Sequence, residues 1–187
     1  LLAPSLLNVV VDDEQKIISA FAGNWRTAHQ AACDLVDAMY GVTIHERTPM
    51  VIASAGGYPK DLNFYQTIKT LSNALVVAKE GGTIILVTKS DEGFGNDDTQ
   101  RQIAGYETML EREKDLRENF SIGAFIGYLF AEAGEKYNMI AVTDIPQADF
   151  GTAKIHVVST LDEALELARQ IAGEYEAAAE NRKRWPV

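Results

Sequence analysis

The residues with the clearest chemical potential in this chain are Tyr65, Gln66 and Lys69, which follow a glycine turn, Gly56-Gly57-Tyr58-Pro59. Lys69 offers a cationic head for a carboxylate, Gln66 both a donor and an acceptor, and Tyr65 a flat ring with a hydroxyl tip. Such a set suits a small hydroxy acid. Gln66 and Lys69 lie three apart and Asn73 four further on, so on a helix the three share one stripe, opposite Phe64, Ile68, Leu71 and Leu75. A polar stripe is most often only a helix's solvated face. The turn itself matches neither a dinucleotide fingerprint nor a P-loop. What must decide is whether the stripe begins beside a crevice.

The elements around it place it there. Residues 50–54 read as a strand ending at Ala55-Gly56-Gly57, and a helix follows with Phe64, Ile68, Leu71, Leu75 and Ala78 at steps of four and three, closed by Gly81-Gly82. Pro59 falls near the first helical turn, where its missing N–H costs nothing. Residues 83–88 form a buried strand, 90–98 a polar loop, and 100–118 and 123–136 two helices. Strands follow at 139–143 and 155–158, and Thr160 with Glu163 forms a capping box for a helix to about residue 178. Strand and helix alternate, so the fold class is α/β: a mostly parallel sheet with helices on both faces, Rossmann-like and three-layered. Ahead of it, residues 6–11 and 17–22 make a β-hairpin and residues 27–40 a helix ended by Gly41. Residues 1–47 are therefore expected to be a piece of a preceding domain or linker, and 48–187 the α/β domain. In such a sheet the productive crevice lies beyond the carboxyl ends of the strands, where the glycine turn sits.

Composition narrows the partners. With 187 residues, 47% of them apolar, the chain can bury one full core without staples. A net charge of -10 repels phosphate backbones, so no nucleic-acid partner is expected. The longest apolar runs, 9–11 and 84–87, are strand-length, which excludes a membrane span of helical type from the expectation. A single cysteine, Cys33, excludes an internal disulfide framework and points to the cytoplasm. The chain opens on Leu1 with no secretory pattern, and a processed or truncated product is the expectation.

Other tempting groups have plainer explanations. His29, His45 and His156 show no metal-ligand spacing; His29 reads as a helix-packing or capping residue and the other two as structural. Cys33 reads as a small core residue. Asp91, Glu92, Asp97 and Asp98 match no calcium loop and read as solvated. The charges from Glu111 to Glu118 pair locally along an exposed helix. Neither Trp25 nor Trp185 suggests a role.

The stretch Ala53-Ser54-Ala55-Gly56-Gly57-Tyr58-Pro59-Lys60-Asp61-Leu62-Asn63-Phe64-Tyr65-Gln66-Thr67-Ile68-Lys69 resembles the signature of the lactate racemase family that uses a nickel-pincer nucleotide. Leu6-Leu7-Asn8-Val9-Val10, Phe21-Ala22-Gly23, Ala28-His29, Gly81-Gly82-Thr83-Ile84-Ile85 and Glu92-Gly93-Phe94-Gly95 fall in the family's order, so the resemblance covers nearly the whole chain. It implies the C-terminal portion of a two-domain isomerase that inverts a 2-hydroxy acid in a cleft between domains. By motif position it implies Gln66 and Lys69 as catalytic, substrate-contacting residues and Tyr65 as lining the cofactor pocket. The family's catalytic histidines, cofactor-bearing lysine and nickel-ligating histidine belong to an amino-terminal half. This chain is accordingly expected to be inactive alone, to bind no cofactor or metal by itself, and to need the missing N-terminal domain as partner. An active-site aromatic that the family carries further along finds no secure place in residues 119–128. A stand-alone nucleotide-binding module and a non-catalytic interaction domain stand as the alternatives, and the identity of the hydroxy acid stays open.

Overall fold

The structure, a computed structural model, describes residues 4–184, with side chains described through residue 173; Leu1 and Trp185 lie outside the described residues. The chain divides into two compact units, 1–45 and 46–187. In the first, β1 (Ser5–Val11) and β2 (Ile17–Asn24) form an antiparallel hairpin whose turn is held by Asp12, which accepts from the N–H groups of Glu14 and Lys16 at 2.9 Å each. Asn24 then caps α1 (Trp25–Tyr40), accepting from Arg26 N at 3.0 Å, so Trp25 opens the helix. Val10, Ala28 and Ala32 are buried in this unit, while the alternate strand face leaves Leu7 and Ile17 exposed at 70% and 66%.

The second unit is a four-stranded parallel sheet in the order β3 (Thr48–Ser54), β4 (Ala78–Val87), β5 (Asn138–Val142), β6 (Ile155–Val158). Period-two alternation sends Ile84, Leu86, Met139 and Ala141 to one face and Ile85, Ile140 and Val142 to the other. The first face is covered by α2 (Ile68–Val77), α3 (Asp97–Ala104) and α5 (Ile122–Lys136). The second is covered by α6 (Leu161–Arg184), whose Ala164 and Ala168 are buried there. Helices thus lie on both faces, as the alternation of elements requires. The capping box also forms: Glu163 N donates to Thr160 Oγ1 at 3.2 Å and Thr160 N to Glu163 Oε2 at 3.2 Å.

Two sequence expectations are corrected. Gly81 and Gly82 do not close a helix: α2 ends at Val77 and both glycines lie within β4, where the pairing slips between Thr48↔Ala78 and Met50↔Thr83. The slip needs glycine, because Gly81 has φ +76 and a Cβ on Gly82 would stand 2.6 Å from Pro49 O. Residues 100–118 are not one helix either. α3 ends at Gly105 and α4 (Met109–Glu118) starts at a capping box of Thr108 and Glu111. Arg112, 2% exposed, locks that corner: Nε donates to Gln102 O at 2.8 Å, and Nη2 to Ile103 O at 2.9 Å and Thr152 Oγ1 at 2.8 Å. Burial draws its pKa below the ordinary guanidinium value, and the nearby Glu135, Glu107 and Glu111 pull in the opposite direction.

The centre of the first face is a ring cluster. Phe64, fully buried, sits 4.5 Å from Phe130, 5.1 Å from Phe150 and 5.8 Å from Phe94, between ring centroids. Replacing Phe64 by Ala should cost about 3–5 kcal/mol. Chemical denaturation would read this, and a loss below about 1 kcal/mol would show the cluster to be dispensable.

Candidate functional site

The turn after β3 is built from backbone bonds to the neighbouring strand. Ala55 N donates to Val87 O at 2.9 Å, extending the parallel ladder beyond Ser54, and Gly56 N donates to Ser54 Oγ at 3.2 Å. Lys60 N and Asp61 N both turn back to Gly57 O, at 2.8 and 3.2 Å. Gly56 and Gly57 carry φ +90 and +74, as the tight reversal demands. Four of the turn's N–H groups are thereby spent inside it, which leaves little of a phosphate-binding nest. Pro59 lies in this loop and not in a helix.

From there the chain is pinned to the segment that follows β4. The buried Asp61 accepts from Lys89 N at 3.1 Å through its side chain and from Ser90 N at 3.0 Å through its carbonyl. Phe64 N donates to Gly93 O at 2.9 Å and Tyr65 N to Phe94 O at 3.2 Å. A chain of buried hydroxyls, Thr67 to Thr88 to Ser90, at 3.0 Å each, closes the same seam. Helical structure begins as a 3-10 turn, Phe64–Thr67, and becomes α2 only at Ile68; the expected single helix is thus tighter at its start. Asn63 caps the turn by accepting from Gln66 N at 3.2 Å. Gly95 packs against that cap, where a Cβ would lie 2.3 Å from Asn63 Cγ.

Within this frame Gln66 and Lys69 come together. Lys69 Nζ donates to Gln66 Oε1 at 2.9 Å, and both side chains line a cleft of about 540 Å³ with Ala55, Pro59, Lys60 and Thr70, at the carboxyl end of β3. Asn73, one turn further along α2, lines an adjoining hollow with Val51, Ala53 and Ser54, and Thr70 lines both. Tyr65 is half-buried, packs against the core cluster and is not among the residues lining the Gln66–Lys69 cleft. Among the described residues no carboxylate forms an ion pair with Lys69 or Lys60. An ammonium held by a neutral amide keeps its charge for an incoming anion, and the amide NH₂ beside it remains a donor. Chemically, the pair can hold a carboxylate and an adjacent hydroxyl.

A second, larger cleft of about 800 Å³ lies beyond β4 and β5 and has the opposite sign, with Asp91, Glu92, Asp97, Asp144 and Asp149 on its walls. Lys89, hydrogen-bonded to Asp91, has its pKa raised chiefly by that bond. Asp98, expected to be solvated with its neighbours, instead lies half-buried in the first turn of α3; its carboxylate accepts from Ser121 Oγ at 2.6 Å and pairs with Arg101, and these bonds hold its pKa below the ordinary value. His29, His45 and His156 are exposed, His29 Nε2 standing 3.6 Å from the half-buried Cys33 Sγ. Among the described residues no group of three or more His, Cys, Asp or Glu side chains could hold a metal ion, and no helix is long and apolar enough to cross a membrane. Phe120 and Phe125 are exposed, and neither they nor Tyr128 line the Gln66–Lys69 cleft.

Sequence reasoning did not single out Asp61, Asn63 or Lys60. Asn63 carried a usable signal, an Asn three residues before the Gln whose N–H it caps. Asp61 carried none, because its role comes from a loop that meets it only in the folded chain, and Lys60 none, because nothing beside it in the sequence shows that it lacks an acidic partner.

Known proteins supply a context for this geometry. The family described as the lactate racemase C-terminal domain matches residues 44–180. The lactate racemase of Lactiplantibacillus plantarum is 32% identical over 173 residues, covering 87% of this chain and 39% of that protein. The lactate racemase of Thermoanaerobacterium thermosaccharolyticum is 38% identical over 113 residues, 60% of this chain and 25% of that protein. The solved structure of that organism's lactate racemase apoprotein superposes with a TM-score of 0.76 at 29% identity, over 89% of this chain and 41% of that one. A Thermotoga maritima protein of solved structure, 16% identical with a TM-score of 0.54, shares the fold. The chain therefore spans well under half the length of the curated relatives it matches.

The cap on the 3-10 turn generates a direct test. Asn63→Ala should lower stability by about 1 kcal/mol, seen as a fall of about 2–4 °C in the thermal midpoint. An unchanged midpoint would show that Gln66 is positioned by other means.

Proposed function

The chain belongs to the lactate racemase family through that family's C-terminal domain, and from this we propose that it supplies the substrate-clamping part of a 2-hydroxy acid racemase or epimerase of the nickel-pincer type. The observation that carries the reading is the Lys69–Gln66 pair, bonded at 2.9 Å, lining a cleft at the carboxyl end of β3 and free of any carboxylate ion pair among the described residues. Lys69 Nζ neutralises the substrate carboxylate, and the Gln66 amide donates to the carboxylate or the 2-hydroxyl. Two contacts on adjacent groups fix the carbon between them, which is what inversion at that carbon needs. Tyr65, next to Gln66 and anchored in the core, is assigned to the wall of the cofactor pocket.

Among the described residues no group of three or more His, Cys, Asp or Glu side chains could hold the nickel ion of a nickel-pincer nucleotide. The reading assigns its attachment, the nickel ligand and the histidine bases to an N-terminal domain of the kind that the longer relatives carry, with the active site in the cleft between that domain and this one. Residues 1–47 are read as a piece of that preceding domain or as a linker to it. Support for this is the exposed apolar strand face of Leu7, Val9, Val11 and Ile17, a surface of the kind that marks a protein contact. The compartment we assign is the cytoplasm, on the strength of a single unpaired cysteine, Cys33.

In a longer polypeptide that joins this chain to such a domain, with the nickel-pincer group loaded, Lys69→Ala should lower kcat/KM for 2-hydroxy acid racemisation by about 10²–10³-fold, with the thermal midpoint shifted by no more than about 2 °C. The 187-residue chain alone should show no racemisation. Full activity in Lys69→Ala would defeat the role given to this residue.

A further inference from the structure

The same cleft holds a second cation that neither the motif nor the resemblance assigns. Lys60 lines it together with Gln66 and Lys69, and its stem is seated against the glycine turn: Cδ lies 3.4 Å from the position a Cβ on Gly56 would take. The remaining lining residues, Ala55, Pro59 and Thr70, carry no charge. Neither ammonium has an acidic partner among the described residues, whereas Lys16, Lys89, Lys136 and Lys154 are each paired with a carboxylate. Asp61, the acid next in sequence to Lys60, is buried and bonded to the backbone of Lys89. In a chain of net charge -10, a cleft with two unpaired cations and no anion is set apart from its surroundings.

We infer that Lys60 is a specificity-determining residue, which makes this cleft prefer a 2-hydroxy acid bearing a second carboxylate over a monocarboxylate. The inference rests on the clamp proposed above: Lys69 and Gln66 take the carboxylate beside the hydroxyl, and Lys60 takes the distal one. A second carboxylate fits better than a phosphate, because the N–H groups of Ala55, Gly56, Lys60 and Asp61 that could wrap a phosphate are already spent on Val87 O, Ser54 Oγ and Gly57 O. Lys60 is exposed, so its pull on the distal carboxylate is modest and salt-sensitive.

The test is an NMR titration of the 187-residue chain with malate, lactate and methyl phosphate at low ionic strength, following the amide signals of Lys60, Gln66 and Lys69. Malate should bind about fivefold more tightly than lactate, and in Lys60→Gln that ratio should fall to about one while lactate affinity changes less than about twofold. Lys69→Gln should weaken both acids. Lys114→Gln, which removes an exposed lysine outside the cleft, should preserve the ratio. An unchanged ratio in Lys60→Gln, or an equal change in Lys114→Gln, would overturn the assignment of Lys60 and leave the clamp standing. Methyl phosphate binding beside bound lactate in a Lys60-dependent way, with no preference for malate, would also overturn it, since the second anion would then be a phosphate. Lactate binding that Lys69→Gln leaves untouched would bring down the clamp and this inference with it.

Discussion

Burial of Phe64 is the constraint on which the candidate site depends. Its ring meets Phe94, Phe130 and Phe150, which come from the segment after β4, from α5 and from the short turn before β6, so one side chain draws three separate parts of the chain to one point. Because Phe64 opens the 3-10 turn, fixing it also fixes the rotation of that turn. Gln66, two residues on, and Lys69, five on, are thereby turned away from the sheet and toward the cleft beyond β3. Asn63 and Asp61 complete the arrangement from the polar side, one capping the Gln66 N–H and the other bonding the backbone of the facing loop. Apolar burial supplies the energy and a few directed hydrogen bonds supply the angle.

Electrostatics then separate two clefts on the same edge of the sheet. One is lined by Lys60 and Lys69 without an acid, the other by five carboxylates. Anions are repelled by the protein's overall charge and by the second cleft, so the hydroxy acid binding proposed for the first would have to come from short-range contacts. That is a reason for such a cleft to be completed by further protein, where lower water content strengthens each contact, and it agrees with a chain that covers 39% and 25% of the two curated relatives.

Much of this was legible in the sequence, and the failures have identifiable causes. Alternation of apolar strands with helical spacings gave the parallel sheet and its two covered faces, and the three-residue interval between Gln66 and Lys69 put their side chains together. The interval held although Gln66 lies on a 3-10 turn, because three residues are close to one full turn in both kinds of helix. Asn73, one α-helical turn beyond Lys69 on α2, keeps to the same side and lines the adjoining hollow, which shares Thr70 with the first. Gly81 and Gly82 were misread because a glycine pair marks a helix end and a strand irregularity equally well; the close approach of Pro49 O, which decides between them, is a tertiary fact. The break at Gly105 was hidden by charged residues that suit a helix on either side, and the buried Arg112 that locks it looks in the sequence like one more surface charge. Lys60 was invisible as a site residue for the reverse reason: nothing in its neighbours shows that it lacks a partner.

The central claim is that the amide of Gln66 and the ammonium of Lys69 receive the carboxylate of a 2-hydroxy acid. The most direct measurement is a crystal structure of this chain joined to an N-terminal domain of the kind its longer relatives carry, grown with a 2-hydroxy acid. The account predicts the carboxylate within hydrogen-bonding distance, about 2.7–3.2 Å, of Lys69 Nζ and Gln66 Nε2. A bound acid held by other residues, with Lys69 and Gln66 facing bulk water, would contradict it.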